Sequence, residues 1–316
     1  MQKTKVIIDT DPGIGTKEAD FDDGVALLLA LNSSQIEVVG VTTVHGNVPV
    51  SVGTKNALRL IYLMKKQIKV AQGASCPIIL DKPEKMKRPF VEIEDIPKFT
   101  PSMEDNLVSE FAPQFIVDTV SKSKEKITLI CIGPLTNIAL ALIMDPQLKD
   151  KIDQIVIMGG AAFYQGNVTP VAEFNVWMDP EAAKIVFTSK IPKVMVGLNV
   201  TQKVGFTKKD FLHLKDNTDP LSKLFYSSAT TWLDYLKKYN LQECYMHDAM
   251  AVAYLLNKDL LTAQKACVDV ETQGILTRGQ TIIDIQGKLG KPSNTWVCKD
   301  IDREKFHKMI IDCLRF

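Results

Sequence analysis

Short apolar runs rich in Val and Ile alternate along the chain with helical patterns. The run 6–8 reads as a strand and 22–31 as a helix. Two acids open that helix, which suits its dipole, and the stretch 25–31 is apolar throughout, which predicts burial. The near-continuous apolar run 36–43 predicts a strand of the parallel kind, covered on both faces. The same reading predicts a helix at 51–65, strands at 68–71 and 127–131, a helix at 137–144 and a strand at 154–158. A helix at 180–187 starts on Pro180, a residue favoured in the first turn, and 193–196 is a further strand. This alternation argues an α/β fold: an open, mostly parallel central sheet flanked by helices. Two stretches break the rhythm. Residues 77–106 are rich in Pro, Lys, Glu and Asp and read as a long excursion, with Lys82 to Arg88 as a solvated face. Residues 221–240 form an amphipathic helical stretch carrying Tyr226, Trp232, Tyr235 and Tyr239. With no internal repeat and no low-complexity linker, the pattern predicts one domain over 1–316, with insertions at about 77–106 and 221–240.

Charge narrows the function classes. Lys plus Arg is 38 and Asp plus Glu is 37, a formal net charge of +1. That balance argues against a basic nucleic-acid footprint and against charge-driven disorder. No apolar run reaches the roughly 20 residues a bilayer span needs. The polar start leads straight into the run 6–8 and then Asp9, which is too short for a signal-peptide core. The expected location is the cytoplasm, with no membrane partner. Cys76, Cys131, Cys244, Cys267, Cys298 and Cys313 form no C-x-x-C pair, so reduced structural thiols are expected.

The candidate chemistry begins where the first strand ends. Asp9 and Asp11 are two residues apart, and alternation places them on one side of the strand. Ligands of open α/β sheets gather at the carboxyl ends of strands, and Pro12-Gly13 turns the chain away there. Asp22 and Asp23 follow at a helix start, so four acids converge on one strand end. Carboxylates this close repel one another unless something positive lies between them. A hard cation such as Ca²⁺, which takes 6–8 oxygen ligands, resolves this, and the lack of a His/Cys cluster argues against zinc. The competing bland reading has Asp9 and Asp11 bonded to turn amides, with Asp22 and Asp23 as helix caps. A haloacid-dehalogenase nucleophile wants Thr or Val two residues after the second Asp, where Gly13 stands.

With these residues in view, the chain resembles the inosine–uridine-type nucleoside hydrolases. Asp9-Thr10-Asp11-Pro12-Gly13 with Asp22-Asp23 is similar to the family's D-T-D-P-G-x-D-D signature. Thr42-Thr43-Val44-His45-Gly46-Asn47 and Gly133-Pro134-Leu135-Thr136-Asn137-Ile138-Ala139 resemble its T-T-V-x-G-N and G-P-L-T-N-I-A motifs. Met158-Gly159-Gly160, Gly166-Asn167, Ala172-Glu173-Phe174-Asn175 and Asp179-Pro180-Glu181 follow the next signature. His247-Asp248-Ala249 and Thr277-Arg278-Gly279-Gln280-Thr281 resemble its late motifs. The set runs in family order from residue 6 to about 306.

The resemblance implies a Ca²⁺-dependent enzyme that cleaves the N-glycosidic bond of ribonucleosides to free base and ribose, in purine or pyrimidine salvage. It implies that Asp11, Asp23 and Asp248 ligate calcium by carboxylate and Ile132 by its backbone oxygen. Asp11 would also be the general base for the water on calcium. Asp22 and Asn175 would bind the ribose 2′ and 3′ hydroxyls, Asn47 would sit at the sugar and metal edge, and Asn167 and Glu173 would hold the 5′ hydroxyl. His247 would act on the base side, joined there by Tyr235, while Asp9 would stand behind the ligands and orient them. His45 reads as structural, and Trp232 and Phe163 as core aromatics. A homodimer or homotetramer is implied. Carboxylates suit an oxocarbenium-like centre, and a site built on hydroxyl bonds rejects deoxy analogues.

Two departures stand out. The family usually has one residue between the D-P-G turn and the D-D pair; here eight intervene, 14–21, including Glu18 and Asp20. Pyrimidine-preferring members carry a His in the segment matching 77–106, and this segment has none. A non-catalytic nucleoside- or ribose-binding protein, and a mainly structural calcium site, are therefore the competing functions.

Overall fold

The computed structural model describes residues 3–79 and 90–316, so the stretch Lys82 to Arg88 lies outside the described residues. Among the described residues, ten strands form one sheet: β1 (Thr4–Thr10), β2 (Ile36–Thr43), β3 (Val70–Gln72), β4 (Leu107–Val108), β5 (Ile127–Cys131), β6 (Ile152–Met158) and β7 (Lys193–Val196), then β10 (Leu261–Val270), β11 (Thr281–Asp284) and β12 (Thr295–Ile301). Between them in the chain, β8 (Gly205–Phe206) and β9 (Cys244–Tyr245) pair as a separate ribbon. The sheet order is β11-β10-β12-β7-β6-β5-β1-β2-β3-β4. The strands from β4 across to β12 run parallel, and only the pairs made by β10 are antiparallel.

The central strands are apolar on both faces because both faces are covered. Val6 and Ile8, Ile130 and Ile132, and Val156 and Met158 face one core, with the helices Asp22–Asn32, Val50–Leu63, Pro220–Leu236, His247–Leu256 and Arg303–Cys313. Ile7, Leu129, Cys131, Ile155 and Ile157 face the other, with the helices Ala112–Lys122, Thr136–Met144 and Pro180–Thr188. From β1 the chain steps to β2, β3 and β4 on one side, then returns to β5 on the other. The connections leaving β1 and β5 therefore diverge to opposite faces, which opens a crevice at their carboxyl ends.

The predicted elements appear with small shifts at their ends, such as Val50–Leu63 for 51–65 and Val70–Gln72 for 68–71. The stretch 221–240 is the helix Pro220–Leu236 followed by a 3₁₀ turn, Lys237–Tyr239, and stops at Asn240 in the left-handed region (φ 60°). The strands after residue 260 and the last helix, which sets Phe306 and Ile310 one turn apart against the core, lie outside the predicted elements. β10 begins half-exposed, its first five positions reading Leu-Thr-Ala-Gln-Lys, so it lacks the continuous apolar run of the parallel strands.

Candidate active site

The acids converge as a direct result of the strand register. Asp9 lies beside Thr42 and Cys131 in the ladder. The Thr42 hydroxyl donates to its Oδ1 at 2.5 Å, and the Asn137 amide donates to the same oxygen at 2.8 Å. Asn137 also donates to the Thr43 carbonyl (2.9 Å) and accepts from the Ala74 N–H (2.9 Å), so it ties three strand ends together behind the crevice. Asp11, two residues on, is fully buried; its Oδ2 accepts the Asn47 backbone N–H at 2.5 Å.

Asp23 is held by the Thr10 hydroxyl, the Asp11 N–H (3.2 Å) and the Asn47 side-chain amide (3.2 Å). Asp22 accepts the Asp248 N–H at 3.0 Å, which joins the starts of helices Asp22–Asn32 and His247–Leu256. Oxygens of Asp22, Asp23 and Asp248 lie within 4.8 Å of one another, all buried. The Asn175 amide donates to the Ile132 carbonyl (3.3 Å) and the Met158 carbonyl (3.2 Å), bringing the end of β5 to the same place.

The electrostatics are one-sided. Burial, and then neighbouring carboxylates, push Asp11, Asp22 and Asp248 well above the usual carboxylate range. Burial raises Asp9 and Asp23 to about 7. Their partners are hydroxyls, amides and backbone N–H groups, and among the described residues no Lys or Arg forms an ion pair with them. Two buried oxygens, Asp9 Oδ2 and Asp11 Oδ1, have no hydrogen-bond partner among the described residues. Orphaned buried acceptors among like charges are costly; a metal cation between the carboxylates would relieve the repulsion and give the Asp11 oxygen a partner. The donor set, oxygen only, fits a hard divalent ion. Gly46 and Gly133 leave the space: a Cβ on Gly46 would collide with the Asp11 carboxylate.

A model of the "Inosine-uridine preferring nucleoside hydrolase" family matches residues 6–308. The chain belongs to this family. It is an enzyme of the nucleoside hydrolase class. It is 38% identical over 311 residues to the non-specific ribonucleoside hydrolase RihC of Escherichia coli, covering 98% of this chain and 97% of that protein. It is also 38% identical to a probable uridine nucleosidase 2 of Oryza sativa subsp. japonica, covering 92% of this chain and 85% of that one. A purine-preferring ribonucleoside hydrolase from Gardnerella vaginalis superposes with a TM-score of 0.85 at 29% identity, over 98% of both chains.

Glu173 is buried; its carboxylate accepts from the N–H groups of Gly160 (2.8 Å), Asn175 (2.8 Å) and Val176 (3.2 Å) and so caps the short helix Phe174–Met178. Asn167 is exposed, and its carbonyl accepts the Phe174 N–H at 2.9 Å. His247 is held at Nδ1 by the Thr201 hydroxyl (2.7 Å), and burial lowers its pKa to about 4. The Tyr245 ring lies 5.5 Å from that of His247. Tyr235 stacks on Trp232 at 5.3 Å, and its hydroxyl meets that of Tyr239 at 3.2 Å. Phe163, expected in the core, is exposed with φ 54°.

The inserted loop 14–21 is tied down on all sides. The Gly15 N–H donates to Ser228 on the long helix, and Gly15 and Thr16 pair with 92–93. Glu18 turns outward to Lys238, whereas Asp20 accepts the Phe21 N–H (2.8 Å) and the Asp22 N–H (3.4 Å), and burial beside Asp23 raises it to about 7. Sequence reasoning missed Asn137 and Thr42 as the residues that hold Asp9, and Thr201 as the partner of His247. Asn137 and Thr42 lie inside quoted motifs, so the signal was present. Thr201 lies in no motif.

Proposed function

We propose that this chain hydrolyses the N-glycosidic bond of ribonucleosides, releasing free base and ribose, with calcium as its ion. The observation that carries this reading is the Asp11 Oδ1, buried and, among the described residues, unpartnered in a ring of carboxylates with no basic side chain to balance it. Asp11, Asp23 and Asp248, with the Ile132 carbonyl, would hold the ion. When bound, calcium orients the attacking water and eases its deprotonation.

The rest is done by the chain itself. Asp11 accepts the proton of the attacking water. Asp22 and Asn175 grip the ribose 2′ and 3′ hydroxyls, Asn47 closes the sugar edge, and Glu173 and Asn167 face the 5′ hydroxyl. The ring of carboxylates stabilises positive charge as the C1′–N bond breaks. His247 and Tyr235 stand on the base side. Asp9, fixed by Thr42 and Asn137, orients the strand end. We read residues 1–316 as one catalytic domain, with 77–106 and 221–240 as its insertions, working in the cytoplasm as a homodimer or homotetramer. The relatives' names cover uridine, purine and non-specific nucleosides, so the test is a panel rather than one substrate.

Release of ribose from inosine, uridine, adenosine and cytidine is measured with calcium present. At least one should be hydrolysed, and Asp11→Ala should lose about a thousandfold or more of that activity with an unchanged circular-dichroism spectrum. Full activity in Asp11→Ala would overturn the assignment. The missing His in 77–106 favours one alternative, a nucleoside-binding protein that does not turn over. Binding by calorimetry with no base released over hours selects that reading.

A further inference from the structure

The contact between His247 and Thr201 decides where the proton of the His247 ring sits. His247 Nδ1 lies 2.7 Å from the Thr201 Oγ1. Thr201 is fully buried at the end of the short helix Leu198–Thr201, and among the described residues His247 is the sole hydrogen-bond partner of its hydroxyl. A hydroxyl has one hydrogen to give and lone pairs to accept with. If Nδ1 carried a proton, in the Nδ1–H tautomer or in an imidazolium, the Thr201 oxygen would have to accept it. Its own hydrogen would then be buried with no acceptor, which folded proteins avoid. The hydrogen bonds close in one way only: Thr201 donates to a bare Nδ1, and the ring proton sits on Nε2. Nε2 has no hydrogen-bond partner among the described residues, and the ring keeps some exposure beside Tyr245.

We propose that Thr201 is a positioning residue that holds His247 as the neutral Nε2–H tautomer, which donates a hydrogen bond to the departing base without protonating it. This rests on the reading of the chain as a ribonucleoside hydrolase. A neutral ring that gave up its Nε2 proton would become an imidazolate, so His247 acts as a fixed electrophile, as neutral imidazoles do elsewhere. The reaction balances without a proton from His247. The C1′–N bond breaks and its electron pair stays on the base nitrogen. The water oxygen bonds C1′, and the water's proton passes to Asp11. The base takes its proton from solvent.

The experiment compares two substrates in the calcium-loaded enzyme: the best natural nucleoside of the panel, and 4-nitrophenyl β-ribofuranoside, whose nitrophenolate leaves without help. Thr201→Val should lower kcat on the nucleoside at least about tenfold, with KM and nitrophenyl riboside hydrolysis near the parent values, and Thr201→Ser should restore the nucleoside rate. Equal losses on both substrates, or none on either, would overturn the proposal. Histidine ring ¹⁵N spectra, assigned with His247→Asn, give a readout independent of turnover and of any folding defect in the variants. The parent enzyme should show Nε2–H at His247; an Nδ1–H or imidazolium signal at neutral pH sinks the idea. A parent enzyme that hydrolyses neither substrate defeats the hydrolase reading instead, while the spectra still decide the tautomer.

Discussion

At the scale of single residues, the site depends on small groups that leave room and on amides that fix acids. Gly46 is the sharpest case. Any side chain there meets the Asp11 carboxylate, while the next residue donates its N–H to the same Oδ2. Gly46→Ala must therefore push Asp11 aside, and a misplacement of about 1 Å at a reacting group costs on the order of a hundredfold in rate. The expected outcome is a kcat lowered about a hundredfold, with KM for the nucleoside changed far less; a variant with parental kcat would show that Asp11 is not the proton acceptor. Asn137 acts one layer back. Its amide joins Asp9, the Thr43 carbonyl and the Ala74 N–H. Asn137→Ala removes three buried hydrogen bonds, one of them to a carboxylate. At about 1 kcal/mol each, and more for the charged one, the loss is roughly 3–5 kcal/mol. Urea unfolding should show this as a lower midpoint at unchanged slope.

At the scale of elements, the inserted loop 14–21 is a strap that leaves one of its acids, Asp20, beside Asp22 and Asp23. Its Glu18 pairs outward with Lys238, and its backbone is stitched to 91–93 and to Ser228. Behind it lies Arg59, whose side chain is 2% exposed and pairs with Glu92, itself 52% exposed. Arg59 also donates to Asn56 (3.2 Å), and Asn56 in turn donates to the Pro12 carbonyl (2.9 Å) and the Thr16 hydroxyl (3.1 Å). Glu92→Ala strands a buried guanidinium. A fully buried pair would lose about 3–5 kcal/mol; because Glu92 is half in solvent, about 2 kcal/mol is expected here. The double variant Arg59→Met/Glu92→Ala should recover most of that loss, and additive losses in the cycle would refute the coupling. This element also marks the limit of legibility in the sequence. The β1 strand, the Asp22 helix and the acids at their junction were readable because periodicity and motif agreed. The path of the loop was not, because it is set by long-range contacts to residues about 75 and 210 positions away, which leave no local pattern. Tyr235 shows the same limit: its helix was evident, but its aromatic row with Trp232 and Tyr239 belongs to the helix surface and carries no motif.

For the whole molecule, the formal charge of +1 hides an uneven distribution, with Asp9, Asp11, Asp22, Asp23 and Asp248 buried together. Their folded pKa values are all raised, to about 7 for Asp9 and Asp23, whereas unfolded aspartates titrate near 3.9. The folded state thus holds protons that unfolding releases, so stability falls as pH rises from about 4 through about 7 in chelator-treated protein. The proposed calcium would reverse that trend, because it requires the same carboxylates deprotonated. At a hundredfold excess over its dissociation constant it adds about 2.7 kcal/mol to the folded state. The melting temperature in chelator should therefore drop between pH 5 and pH 8, and added calcium should raise it more at pH 8 than at pH 5. Magnesium should do less, since it demands a near-ideal octahedral shell and dehydrates reluctantly. A melting temperature indifferent to calcium at pH 8 would remove the ion from the site altogether. Calcium-dependent melting with undiminished turnover in chelator would make the ion structural, leaving Asp11 to accept the water's proton unaided. Loss of both together, restored by calcium alone, ties the charge that folding buries to the bond the site breaks.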